Sequence, residues 1–271
     1  MLATLLTDFG TRDYFVGAMK GALLAVSPGA QVVDLTHEIP AHDIAAGAFT
    51  LLAAYHVFPP QTVHVAVVDP GVGSKRRPLV INTRDYVFIG PDNGLFSYVC
   101  EREPEVRAFH LTNARYFRPA LSNTFHGRDI FAPVAGAILN GVPPTELGEQ
   151  ITDYVRLAPL APVRTDAGLV TAAIIHIDRF GNCVTNITRA ELPAEASARG
   201  LHLQVGAHHV RTFRRYFTED EFVPREIFAI WGSAGFLEIA ATRASAARLL
   251  GVERGQPVYL YNPVDPEAVN S

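Results

Sequence analysis

Cysteine is almost missing from this chain. Cys100 and Cys183 are the two thiols in 271 residues, too few and too far apart for a disulfide framework or a cysteine-built zinc site. A reducing compartment and two buried thiols follow. Charge is sparse as well: 23 Lys plus Arg against 27 Asp plus Glu leave a net charge of -4. Basic residues cluster only at positions 75 to 77 and 211 to 215, which argues against a nucleic-acid partner. No uncharged apolar stretch approaches the roughly 20 residues needed to cross a bilayer. The opening MLATLLTDFG has no positive region before its apolar run and reaches Asp8 too soon for a signal peptide. A soluble cytoplasmic protein is the expectation, with no membrane contact. Several motifs are lacking too. Residues 71 to 73, GVG, have no third glycine and lead into SKRRPLV rather than a helix, so no dinucleotide fingerprint is present. There is no GxxxxGK phosphate loop and no GxSxG nucleophile elbow. DFG at residues 8 to 10 has no room upstream for the other parts of a kinase.

What is present suits a packed core: 48% of the residues are hydrophobic, enough for one large domain or two smaller ones. Leu2 to Thr7 reads as a buried strand. A helix over Tyr14 to Val26, capped by Asp13, follows from the helical spacing of Phe15, Met19, Ala22 and Val26. Strands at 32–35 and 62–68 flank a second helix at 43–56, and further strands are expected at 79–82 and 86–89. Asp129 to Leu139 reads as helix despite Pro133. This alternation predicts an α/β fold, with a largely parallel N-terminal sheet flanked by helices. LAPLAPVRTDAG has two prolines and no periodicity, so residues 1–157 form one predicted domain, 158–168 a linker and 169–271 a smaller, mostly β domain. Its expected strands lie at 169–177, 201–205, 209–213, 227–231 and 236–240, followed by a helix at 245–250.

Ligands of open α/β sheets bind beyond the carboxyl ends of the strands, where Asp8 and Asp69 fall. Each also fits an ordinary turn. HEIPAHD, residues 37 to 43, matches no zinc pattern and reads as a solvated loop; no metal site is expected. His126 in SNTFHGRDIF stands in a polar loop before a helix, as a pocket-rim imidazole or beside a simple cap. IDRFGNCVTNI offers Asp178, Asn182 and Asn186 for a polar ligand, or a plain hairpin turn.

TDFGTRDYFVGAMKG, VVDPGVGS, IGPDNGLF, TFHGRD, IDRFGNCVTNI and WGSAGFLEIA together resemble the S-adenosylmethionine hydroxide adenosyltransferase family, which also contains fluorinating and chlorinating enzymes. The resemblance runs in order from Asp8 to about Ala241. It implies displacement of methionine from S-adenosylmethionine by a nucleophile at the ribose C5′, giving adenosine and methionine without a cofactor. It also implies a homotrimer whose sites lie between one subunit's N-terminal domain and a neighbour's C-terminal domain. Asp69, Arg76 and His126 match the hydroxide branch, where halogenating relatives commonly have Tyr for Asp69 and a halide-contacting Ser for Gly127. By the same resemblance Asp8 grips the ribose hydroxyls, Asp178 the methionine ammonium and Asn182 the adenine. Ser233 lies near the methionine carboxylate, Glu238 faces the ligand, and Thr124, Phe125 and Phe180 line the pocket. His42 and Ala234 depart from a stacking Trp and a carboxylate-binding Arg.

The sulfonium is already a good leaving group, so catalysis has to deliver a poor nucleophile in line with the C–S bond. His126 has the ordinary pKa nearest neutrality for a base, Asp69 can orient the water, and Arg76 can favour hydroxide. Lys75 and Arg77 read as a solvated rim. The alternatives are a halogenase yielding a 5′-halo-adenosine and a non-catalytic adenosine or S-adenosylmethionine sensor.

Overall fold

The computed structural model describes residues 1–164, 170–192, 201–217 and 223–261. Residues 165–168 of the expected linker, and Leu169, lie outside them. The chain divides into two compact units, Met1–Pro159 and Leu160–Ser271.

In the first unit β1 (Leu2–Thr7), α1 (Phe15–Val26), β2 (Gln31–Thr36), α2 (Ile44–Ala54) and β3 (Val63–Val67) alternate. Then come β4 (Pro78–Asn82), β5 (Val87–Pro91), α3 (Ser97–Arg102), β6 (Arg107–Leu111), α4 (Ala132–Leu139), α5 (Pro144–Leu147) and β7 (Gly148–Ile151). They build one sheet of order β2-β1-β3-β5-β4-β6-β7. The β2-β1-β3-β5 half is parallel: helical crossovers return the chain between β1, β2 and β3, and β4, antiparallel to β5, reverses it between β3 and β5. The other half is antiparallel, since a turn in which Thr83 N–H meets Tyr86 O at 2.9 Å folds β4 back on β5.

Helices α1 and α4 cover one face of this sheet, packing Met19, Leu23 and Val134 on Leu5 and Val65. Asp43 caps α2 by accepting the Ala46 N–H at 3.0 Å. Asp13 does not cap α1: Tyr14 holds that position, with no side-chain bond. Pro133 is the second residue of α4. A wide π-helical turn, Gly127–Phe131, leads into it.

The second unit contains β8 (Val163–Arg164), β9 (Val170–Ile177), β10 (Cys183–Thr188), β11 (His202–Val205), β12 (His208–Val210), β13 (Phe213–Arg214), β14 (Ile227–Trp231), β15 (Phe236–Ala241), α6 (Ala246–Leu250) and β16 (Pro257–Tyr261). Its sheet runs β12-β11-β16-β9-β10-β15-β14-β13, with β8 beside β9. The mostly β character read from the sequence holds. Two of its central strands, β10 and β16, were not foreseen.

Candidate active site

Asp69 emerges at the carboxyl end of β3, where the chain reverses through bonds from Val72 N to Asp69 O (3.2 Å) and Ser74 N to Gly71 O (3.1 Å). Gly73 adopts φ +77°, and a Cβ there would lie 2.3 Å from Asn123 O. Only glycine therefore lets this turn lie against the loop before the π-helical turn. That approach joins Arg76 to His126, fifty positions on. Arg76 Nε donates to Asp69 Oδ1 at 2.9 Å and its Nη2 donates to Asp69 Oδ2. The second Nη2 hydrogen goes to His126 Nδ1 at 2.8 Å. The two ion-pair side chains are only 9% and 5% exposed, and Phe131 lies under the guanidinium.

This contact fixes the state of the imidazole. Arginine has only donors, so Nδ1 must accept and the His126 proton sits on Nε2. Burial, then the Arg76 charge, hold the His126 pKa below its ordinary value, against opposing pulls from Asp69 and Asp129. The neutral ring presents an N–H outward. Arg76 Nη1 is buried and meets no acceptor among the described residues.

Asp129, which the sequence reading passed over, anchors the loop carrying His126. It is fully buried, and its Oδ2 accepts the Ser122 N–H at 2.8 Å. Arg128 bonds both of its oxygens at 2.7 and 2.9 Å. The readable signal was an acidic residue opening an otherwise apolar helical run. Phe125 is buried in an edge-on cluster with Phe9 and Phe15, while Thr124 is exposed. Asp8 follows β1, which lies beside β3, so it shares Asp69's end of the sheet. Its Oδ2 accepts the His42 N–H at 2.8 Å, where His42 takes φ +67°.

Two sequence expectations fail here. Arg77 is not a solvated rim residue, because it pairs with the buried Asp92 at 2.7 Å and with Asp153 at 2.8 Å. Nor is HEIPAHD wholly a solvated loop, since His37 is buried and bonded to Thr7. Among the described residues no group of three His, Cys, Asp or Glu is arranged to hold a metal.

In the second unit Asp178 closes the β9–β10 turn. Its Oδ1 accepts the Phe180 and Asn182 N–H groups, each at 2.9 Å, and its Oδ2 accepts Asn182 Nδ2 at 2.9 Å. A carboxylate has about four acceptor positions, so Oδ2 keeps capacity for a further donor. Asn182 keeps its second amide hydrogen and its oxygen. Phe180 is 77% exposed at the tip of this turn. Glu238 on β15 faces Gly232, where a Cβ would fall 1.7 Å from Oε1. Burial, and then the Asp178 charge, raise its pKa. Ser233 is exposed in the β14–β15 turn. Each unit thus presents its own polar cluster.

Comparison with known proteins agrees across both units. The models for the SAM hydroxide adenosyltransferase N-terminal and C-terminal domains match residues 3–148 and 172–259. A relative from Thermus thermophilus, named (R)-S-adenosyl-L-methionine hydrolase, is 38% identical over 94% of this chain and 97% of its own. A fluorinase from an Actinoplanes species is more distant, 26% identical over 77% of this chain and 78% of its own. A solved structure from Thermotoga maritima superposes with a TM-score of 0.88 at 32% identity, covering 96% of this chain and 99% of that one. With both domain models matched in order, the chain belongs to the SAM hydroxide adenosyltransferase family.

Proposed function

We propose that the chain hydrolyses S-adenosyl-L-methionine to adenosine and L-methionine, with a water-derived hydroxide attacking the ribose C5′. The observation that carries this reading is the Arg76 guanidinium shared between the Asp69 carboxylate and His126 Nδ1. Expelling methionine from a sulfonium needs no acid, so the protein's work is to hold and deprotonate water in line with the C–S bond. Asp69 keeps lone pairs free to accept a water proton. The His126 Nε2–H and the Arg76 charge both favour the anion that results. His126 acts here as a donor, because its other nitrogen is occupied by Arg76.

Halide is the weaker nucleophile for this site. Both Asp69 oxygens accept from Arg76 and offer a halide no donor, and a side chain at Gly127 would bring its Cβ to 3.0 Å from Met19 Sδ. A serine there would require Met19 to move. Sequence similarity points the same way, since the hydrolase relative is much closer than the fluorinase.

The substrate contacts proposed are Asp8, Thr124 and Phe125 from the first unit and Asp178, Phe180, Asn182, Ser233 and Glu238 from the second. The proposal includes a homotrimer in which one subunit's N-terminal unit meets a neighbour's C-terminal unit, a cytoplasmic setting, and turnover without a cofactor. Family membership supports these parts. Incubation with S-adenosylmethionine in ¹⁸O-water and chloride tests the chemistry. One label in the adenosine 5′-hydroxyl per methionine released is expected. Unlabelled adenosine, a 5′-chloro product, or binding without release of methionine overturns it.

A further inference from the structure

We infer that His37 and Thr7 form a positioning pair that sets the carboxylate of Asp8 for recognition of the substrate ribose, an inference that rests on the reading of Asp8 given above. His37 follows β2 and is 4% exposed. Its Nδ1 lies 2.9 Å from Thr7 Oγ1, and Thr7 is the fully buried last residue of β1. Thr7 Oγ1 also accepts the Phe9 N–H at 3.2 Å. On the far side of the ring Nε2 is 3.1 Å from Asp34 Oδ1, poorly aligned for a hydrogen bond. Lys20 in turn holds Asp34 at 2.6 Å.

The Asp34 carboxylate favours hydrogen on Nε2, so Nδ1 accepts and the Thr7 hydroxyl donates to it. That orientation leaves a Thr7 lone pair for Phe9 N–H. The His37 backbone oxygen takes the Gly10 N–H at 2.7 Å. Residue 37 therefore ties down Thr7 before Asp8 and Gly10 after it. Asp8 Oδ2 is then committed to the His42 N–H, and Oδ1 remains for a ligand at the end of the sheet that also carries Asp69. A histidine without direct substrate contact thus governs where that oxygen points.

The test compares kcat/KM for S-adenosylmethionine and its 2′-deoxyribose analogue in wild type, Asp8→Asn, Thr7→Val, His37→Leu and His37→Asn. Wild type is expected to favour the hydroxylated substrate by about 10- to 100-fold, the range for a hydrogen bond to a charged group. That preference should collapse in Asp8→Asn, Thr7→Val and His37→Leu. His37→Asn, whose amide oxygen can replace Nδ1 as acceptor, should keep most of it. Thermal melting identifies any variant that fails to fold, and Thr7→Val, which preserves shape, then carries the test. If wild type shows no preference, or Asp8→Asn retains it, the reading of Asp8 fails and the inference with it. If Asp8→Asn loses the preference while Thr7→Val and His37→Leu fall equally on both substrates, the Asp8 reading stands and the positioning role is overturned.

Discussion

His64 makes the fold acid-sensitive by an amount the structure defines. It sits on β3 opposite Thr4 of β1, both fully buried, with Thr4 Oγ1 2.7 Å from Nδ1. Phe88 stacks on the ring at 5.2 Å and Tyr55 and Phe58 meet it edge-on. Nε2 has no partner among the described residues, so nothing compensates a charge, and burial lowers the pKa from 6.5 to about 3. Above pH 6.5 the ring is neutral folded or unfolded, and His64 contributes no pH dependence. As pH falls below 6.5 only the unfolded chain takes up the proton, and stability declines until about pH 3.

At pH 5.0 this linkage amounts to about 2 kcal/mol relative to pH 7.5, approaching about 5 kcal/mol near pH 3. Replacing both partners, Thr4→Val with His64→Leu, removes the titration without orphaning a buried hydroxyl. Calorimetry at pH 7.5 and 5.0 is the assay. With about 2 to 4 °C per kcal/mol for a unit of this size, the wild-type N-terminal transition should drop about 4 to 8 °C further than that of the double variant. Equal drops would refute the reasoning, because the acid sensitivity would then lie in other groups.

Two further outcomes concern the site. Since only neutral His126 can accept from Arg76, kcat/KM should stay level through neutral pH and fall as pH drops through the depressed His126 pKa; an acid limb above 6.5 would contradict the assignment. Gly73→Ala, with its Cβ pressed on Asn123 O and its φ at +77°, should part the Asp69 turn from the His126 loop. About a 100-fold loss of turnover is expected for a displacement near 1 Å, and near-normal turnover would show that the two segments need not touch.

The parallel half of the first sheet was legible because β-branched runs, helical spacing and Gly or Pro stops coincide at β1, α1, β2, α2 and β3. Strand β10 was hidden inside IDRFGNCVTNI, where the Asp, Gly and Asn of its leading turn dominate. Five of its six residues are buried, so it shows none of the alternation that marks a half-exposed strand. Helix α3, of six residues, is too short to display a period. For the site, residues alone left Asp69 and His126 open as a turn former and a loop residue. The family resemblance grouped them with Arg76, and the turn at Gly73 supplies the physical reason for the grouping. Arg77 was misread because its partners, Asp92 and Asp153, are 15 and 76 positions away.

His37 was misread for a different reason, and there the sequence held the answer. A count of polar groups in HEIPAHD suggests a solvated loop, yet periodicity contradicts it. The ladder between β1 and β2 continues past the end of β2, with Ile39 N–H reaching Thr7 O at 3.4 Å. His37 and Ile39 are buried while Glu38 and Pro40 are exposed. That is the period of two expected of an extended segment with one covered face. Ile39 is the apolar marker of that face, and His37, two residues earlier, must share it. A histidine in phase with a buried isoleucine needs an internal partner, and the threonine that ends the neighbouring strand provides it.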